Sequence, residues 1–89
     1  MLFACPSVYK KDIPAETLAA HRTWLKAAVD SGAIVSAGRR EPAIGGLIIL
    51  RAESREAAVA LLAQDPFVAE GIAEYDPMGF NPSIGELKG

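Results

Sequence analysis

Apolar and polar positions along this chain follow two different periods, and the changes of period divide it into elements. The opening run Met1–Tyr9 is apolar, contains Pro6 and is followed by charged residues, which predicts a strand that leads into a polar loop. Pro6 has no N–H group to donate to a neighbouring strand, so it favours an edge position or a bulge in the second half of this strand.

A helical period follows between Pro14 and Ser31. Pro14 suits the first turn of a helix, and Gly32 suits a left-handed cap that ends it. Three apolar residues lie within roughly 20° of one direction on this helix and predict its buried face; they are Leu18, Leu25 and Val29.

Two further strands are predicted at Ala33–Gly38 and Gly46–Arg51, joined by a short connection that contains proline and glycine. Consecutive strands with such a connection usually pair. The run Leu47–Leu50 has no polar alternation, which predicts that side chains on both of its faces are buried. Helices can cover only one of these faces, so something else must cover the other.

The second helix is predicted from Ser54, a plausible N-cap, to about Gln64. The residues expected to face the sheet are Ala57, Ala58 and Leu61. The helix is expected to end at Asp65-Pro66. The remaining segments are a short connection at Val68–Gly71, a fourth strand at Ile72–Met78, and a tail at Gly79–Gly89.

The resulting order, βαββαβ, is that of the ferredoxin-like fold, an α+β arrangement in which an antiparallel sheet carries both helices on one face. We expect residues 1–89 to form a single domain of this type. Its second sheet face would be bare. Two copies packed face to face would cover it and bury the second side of Leu47–Leu50, so the sequence predicts a homodimer.

Composition agrees with a small oligomeric protein and excludes several function classes. The 89 residues are 51% apolar, which is more than one small core needs. A net charge of −2 without a basic face disfavours nucleic acid as a partner, and a single cysteine with a single histidine is too few for a zinc site. No apolar run approaches the roughly 20 residues that span a bilayer, and no leader is evident, so we expect no membrane partner and a cytoplasmic location.

The candidate chemistry begins with His21, the only histidine. It flanks the apolar face of the first helix, where an imidazole needs a hydrogen-bond partner. Asp65, in Gln64-Asp65-Pro66-Phe67, is the acid best suited to supply it. Two interpretations stay open from these residues: a proton-transfer pair, or a structural histidine beside an aspartate that ends a helix.

Several short motifs, in their order and spacing, carry a resemblance to a known family. They are Ala20-His21-Arg22-Thr23-Trp24-Leu25, Ser36-Ala37-Gly38, Ile44-Gly45-Gly46, Ser54-Arg55-Glu56-Ala57, Asp65-Pro66-Phe67, Ala73-Glu74-Tyr75 and Phe80-Asn81-Pro82. Together they resemble the YciI-like proteins (YCII-related domain) of the dimeric α+β barrel superfamily. The resemblance implies a ferredoxin-like fold, a dimer and an active site on His21 and Asp65. One departure is that Arg39-Arg40-Glu41-Pro42 follows Gly38, where many members have Gly-Pro.

An imidazole held by a carboxylate keeps one nitrogen free as a base and is a proton-transfer device that needs no cofactor. The sequence and the resemblance therefore predict a cofactor-independent isomerase or lyase acting on a small cyclic, aromatic or lactone-type metabolite. The candidate catalytic residues are His21 and Asp65, and the candidate substrate-binding residues are Ser36, Gly38, Arg39 and Phe67; Arg40 is an alternative to Arg39 for neutralising a carboxylate. The alternatives are a non-catalytic small-molecule-binding protein and a structural dimeric module with a vestigial site.

Overall fold

The computed structural model describes residues 1–88 and contains five strands and three helices in that range. Their bounds are β1 (Leu2–Tyr9), α1 (Ala15–Asp30), β2 (Ile34–Arg39), β3 (Gly46–Arg51), α2 (Arg55–Leu62), α3 (Pro66–Ala69), β4 (Ala73–Tyr75) and β5 (Met78–Phe80). The βαββαβ order is confirmed, with a one-turn helix α3 added. The start of the predicted tail forms β5, and the last residue of that tail, Gly89, lies outside the described residues.

The sheet is antiparallel throughout, in the order β2-β3-β1-β4, with β5 also pairing with β1. β3 occupies one edge of β1, whereas β5 pairs with residues 2–4 and β4 with residues 7–9 on the other. The predicted strand Ile72–Met78 is thus divided in two, because Pro77 at the break has no N–H group for the ladder. Asp76 N donates instead to the Pro6 carbonyl at 2.9 Å.

The edge position favoured for Pro6 is wrong, because β1 lies in the centre of the sheet. Proline is tolerated there because Pro6 is the last residue of β1 that pairs with β3, opposite Leu47. It has no N–H group to leave unpaired, and its carbonyl accepts the hydrogen bond from Asp76.

Both long helices pack on one face of the sheet, where the core lies. The buried residues of this core are Phe3, Cys5, Ala28, Ile34, Ile48, Leu50, Ala58 and Leu62. Four residues predicted to face the core do pack against it: Leu18, Leu25, Ala58 and Leu61. The predictions for two others are wrong, because Val29 is 44% exposed and Ala57 is exposed, while Leu62 is buried. On α1 the buried face centres on Thr17, His21 and Ala28, roughly 60–100° from the predicted direction at 100° per residue. The small side chain of Ala28 lets α1 approach the sheet on that side.

The other face of the sheet is uncovered. Residues paired across strands project to the same face, and four of the side chains on this one are large, apolar and more than one third exposed: Val8 48%, Leu47 39%, Met78 62% and Phe80 39%. Ile48 and Leu50, which point to the helices, are only 2% and 0% exposed. Only one side of β3 is therefore buried within one copy of the chain.

Candidate active site

Asp65 is positioned by its role as the N-cap of α3. Its Oδ1 accepts a hydrogen bond from Phe67 N at 3.0 Å, and Pro66 occupies the first helical position, where a missing N–H has no cost. The interpretation of Asp65 as a turn residue that follows the second helix is thus correct. The cap also fixes the direction of the carboxylate.

The same carboxylate accepts two more hydrogen bonds, from side chains of α1 and β4. His21 Nδ1 lies 2.6 Å from Asp65 Oδ1, and Tyr75 Oη donates to Oδ2 at 2.8 Å. The Asp65 side chain is 0% exposed. A buried carboxylate is tolerated only when its oxygens are hydrogen-bonded, and these three donors meet that need. The structure therefore brings the predicted pair His21 and Asp65 into direct contact across 44 positions of chain.

His21 is held on its ring face as well as at one nitrogen. Its imidazole stacks on the Phe67 ring with centroids 3.8 Å apart and planes 3° apart. Because Nδ1 faces a carboxylate, it carries the proton of the neutral ring and leaves Nε2 as the acceptor. Every buried side-chain nitrogen in residues 1–88 has a hydrogen-bond partner, and Nε2 has none. Nε2 is therefore not buried and is open to solvent.

A cleft of about 190 Å³ lies beside His21, between α1 and the sheet, and opens to solvent. Leu18 and Leu25 line it from the helix, and Ile48 lines it from β3. Apolar walls that also carry polar groups are typical of sites for small organic molecules.

Three of the four predicted substrate-binding residues line this cleft: Gly38, Arg39 and Phe67. Ser36 does not, because it pairs with Ile49 on the opposite face of the sheet. Arg40 is absent from the lining as well, and its guanidinium donates from Nη1 to the Ser7 carbonyl at 3.1 Å.

Tyr75 and Ser7 also line the cleft, and sequence reasoning missed both as site residues. Burial, followed by the negative charge of Asp65, raises the pKa of Tyr75 well above its ordinary value, so its hydroxyl is a neutral donor. Ser7 is 2% exposed, and its Oγ accepts from Gly46 N at 2.9 Å. The signal available in the sequence was a polar side chain within a predicted buried strand, which must find a partner.

Gly45 packs directly on β1 beneath the cleft. A Cβ added at this position would lie 1.8 Å from the Ser7 carbonyl oxygen, so only glycine fits. This close approach lets the hairpin connection contact β1, with Tyr9 N donating to the Ile44 carbonyl at 2.9 Å.

Within residues 1–88, no three His, Cys, Asp or Glu side chains are gathered closely enough to hold a metal ion. None of the helices in this range has the length and apolar character needed to cross a bilayer.

Comparison with known proteins gives a family and a structural relative. The family model described as YCII-related domain matches residues 1–81. A solved structure of 5-chloro-2-hydroxyhydroquinone dehydrochlorinase from Burkholderia phenoliruptrix, in complex with 2,5-dihydroxybenzoquinone, is similar in fold, with a TM-score of 0.69 at 20% sequence identity over 91% of this chain and 94% of that one. No curated protein sequence matches the chain.

Proposed function

The chain belongs to the YCII-related domain family, and on that premise we propose that its cleft is the active site of a cofactor-independent isomerase or lyase. In this proposal His21 transfers a proton on a small cyclic, aromatic or lactone-type metabolite, and Asp65 orients the imidazole.

The observation that carries the proposal is the 2.6 Å contact between His21 Nδ1 and Asp65 Oδ1 beside an open cleft. A structural histidine needs only a partner. Here the partner is a carboxylate fixed by two further donors, and the opposite nitrogen of the imidazole stays accessible. A base must have an accessible nitrogen, and the charge of Asp65 would stabilise the imidazolium that forms when it takes a proton.

The proposed step is proton abstraction from a carbon next to a carbonyl. Nε2 of His21 takes the proton, and the C–H electron pair moves to the carbonyl oxygen as an enolate. In an isomerase the imidazolium returns the proton to a different carbon. In a lyase the enolate electrons instead expel a leaving group from the neighbouring carbon, and the proton passes from His21 to solvent. Both routes balance without an oxidant or reductant.

Two other cleft residues would serve binding. Phe67 supports the imidazole by stacking, and the backbone at Gly38, where an added Cβ would meet nothing within 4 Å, leaves room for a substrate oxygen. The dehydrochlorinase of similar fold was solved with a small oxygenated ring, which favours hydroxylated rings as the first compounds to test.

The first test is a pH titration of the His21 ring by NMR, in the native chain and in Asp65→Asn. The proposal expects the substitution to change the titration. An imidazole that titrates as in free solution and ignores the substitution would contradict the pair.

The second test is turnover, screened with lactones, hydroxylated aromatics and small keto acids in D₂O. Exchange of a substrate hydrogen for deuterium would report proton abstraction before any net conversion. His21→Ala should abolish exchange while remaining folded, and Lys26→Ala, an exposed change on the same helix, should leave it intact. Exchange that persists in His21→Ala would overturn the proposed role.

We also propose that the working form is a homodimer, packed through the uncovered sheet face. The support is the set of exposed apolar side chains on that face, which one copy of the chain leaves in water. Sedimentation at micromolar concentration is expected to give a dimer, and a stable folded monomer would contradict it.

A further inference from the structure

Two arginines line the cleft, from different elements. Arg22 follows His21 on α1, and Arg39 ends β2 on the sheet side. The described lining of the cleft contains no aspartate or glutamate, since Asp65 lies behind His21 with no exposed surface. The cleft is therefore a positively charged region in a chain whose net charge is −2.

Four other basic side chains of residues 1–88 have partners, whereas Arg22 and Arg39 have none; the four are Lys10, Lys26, Arg40 and Arg55. Lys10 pairs with Glu74 at 2.8 Å, and Lys26 pairs with Asp30 at 2.9 Å. Within the described part of the chain, neither cleft arginine forms an ion pair or a hydrogen bond through its guanidinium. Their charges are available to a ligand.

We propose that the cleft selects ring-bearing carboxylates. The carboxylate would bind Arg22 and Arg39, because a guanidinium presents paired donors that match the two oxygens of this group. The ring would lie against Leu18 and Leu25, which brings it beside His21. This inference rests on the proposed function only in taking this cleft as the site where the metabolite binds.

The charge arrangement also gives the two arginines a part in proton transfer. An enolate formed beside Nε2 carries its negative charge on oxygen, and cations at the cleft stabilise that charge as it develops. A carboxylate on the substrate holds the molecule so that the carbon to be deprotonated faces the base. Arg22 and Arg39 are thus residues that determine specificity for anionic substrates.

The experiment compares benzoate with benzamide, which has nearly the same shape and no charge. Binding is measured by calorimetry and by the NMR shifts of the His21 ring. The native chain should bind benzoate about three- to tenfold more tightly than benzamide, and the preference should shrink as salt is added, because exposed ion pairs are modest and are screened.

Arg22→Gln and Arg39→Gln should each reduce the benzoate preference, and the double variant should abolish it with benzamide binding unchanged. Lys11→Gln is the matched control, because it removes the same charge from an exposed residue outside the cleft lining. It should keep the preference.

Equal binding of the two probes, failure of both to bind, or a preference that survives in the double variant would overturn the inference. These results are distinguishable from failure of the proposed function. If His21→Ala abolishes substrate hydrogen exchange but the native chain shows no preference for benzoate, the proposed function stands and this inference fails. If the benzoate preference depends on the two arginines but no tested compound exchanges its hydrogen, this inference stands and the proposed function fails.

Discussion

The two faces of the sheet depart from the usual distribution of residues in opposite ways. Beneath the helices, where apolar side chains are expected, Asp65 is 0% exposed and joined to His21 and Tyr75. On the bare face, where polar side chains are expected, Leu47 is 39% and Met78 62% exposed. One face buries a charge, and the other exposes hydrocarbon.

The buried carboxylate and the exposed apolar side chains differ in whether one copy of the chain supplies their partners. The buried carboxylate is satisfied inside one copy of the chain, because three donors surround its two oxygens. The exposed apolar side chains have no such partner within residues 1–88, and the dimer that we propose would bury them. The covered face therefore satisfies its buried charge within one copy of the chain, whereas the bare face leaves its apolar side chains exposed.

The largest effect is expected from Gly45→Ala, which tests the close contact between the hairpin connection and β1. The new Cβ would lie 1.8 Å from the Ser7 carbonyl oxygen, a clash with the backbone that no rotamer change can relieve. We expect a loss of more than about 4 kcal/mol in the free energy of unfolding, enough to prevent folding of a small domain. Chemical denaturation followed by circular dichroism measures it.

Gly38→Ala is the control, because its added Cβ would meet nothing within 4 Å. It should change the free energy of unfolding by less than about 1 kcal/mol. If both variants fold equally well, β1 and the hairpin are not in the close contact described.

The second effect concerns the buried charge itself. Asp65→Ala leaves the donors of His21, Phe67 and Tyr75 without their acceptor, and removing one partner of a buried pair costs about 3–5 kcal/mol. Urea denaturation should show this loss of stability. The exchange of substrate hydrogen for deuterium should be lost in the same variant.

Glu70→Ala is the matched control for Asp65→Ala. Glu70 also links α3 to α1, by accepting from Thr17 Oγ1 at 3.0 Å, but it is exposed. Its loss should cost about 1 kcal/mol or less. Equal destabilisation by the two variants would mean that Asp65 is no more than one of two ordinary links between these helices.

The third effect tests the bare face. Met78→Glu places a charge on the surface that we propose to be buried between copies, and burying an unpaired charge weakens association by about 2 kcal/mol or more. Sedimentation should show a shift from dimer to monomer. Val59→Glu, at a 47% exposed position on α2, should leave the dimer intact. Dissociation by both variants, or by neither, would remove the proposed interface.

Sequence reasoning found what depends on local pattern. Gly32 does adopt a positive φ of 85°, Ser54 caps α2 through its hydroxyl, and the strand Gly46–Arg51 has the predicted bounds. Each of these follows from a few neighbouring residues, because caps, turns and periodicity are local properties of a chain.

Features that depend on tertiary packing were found only in part. Tyr75 was not identified as a partner of Asp65, because nothing near it in sequence shows which acid its hydroxyl will meet. The rotation of α1 that buries Ala28 and exposes Val29 depends on how closely the helix approaches the sheet. The contact of His21 with Asp65 was predicted because the chain has a single histidine, which left one imidazole to be partnered.

The smallest effect is expected at Tyr75, the third hydrogen-bond donor to Asp65 on the covered face. Tyr75→Phe removes the hydroxyl that donates to Oδ2 at 2.8 Å and keeps the ring. One hydrogen bond to a charged acceptor contributes about 1.5–3 kcal/mol, but Asp65 keeps two other donors, so we expect a loss of about 1.5 kcal/mol. Tyr9→Phe is the control, because its ring also lines the cleft and its hydroxyl is not bonded to Asp65.

The same variant predicts a pH dependence whose sign follows from Tyr75. Burial and the charge of Asp65 raise its pKa in the folded chain above the ordinary value of 10.0. The folded state then resists losing this proton more than the unfolded state does, so the stabilisation is fully present below pH 10 and is lost as the pH rises beyond it. The native chain should lose stability more steeply above this pH than Tyr75→Phe. Identical alkaline slopes would mean that Tyr75 is free to ionise, and therefore that its hydroxyl is not held against a buried carboxylate.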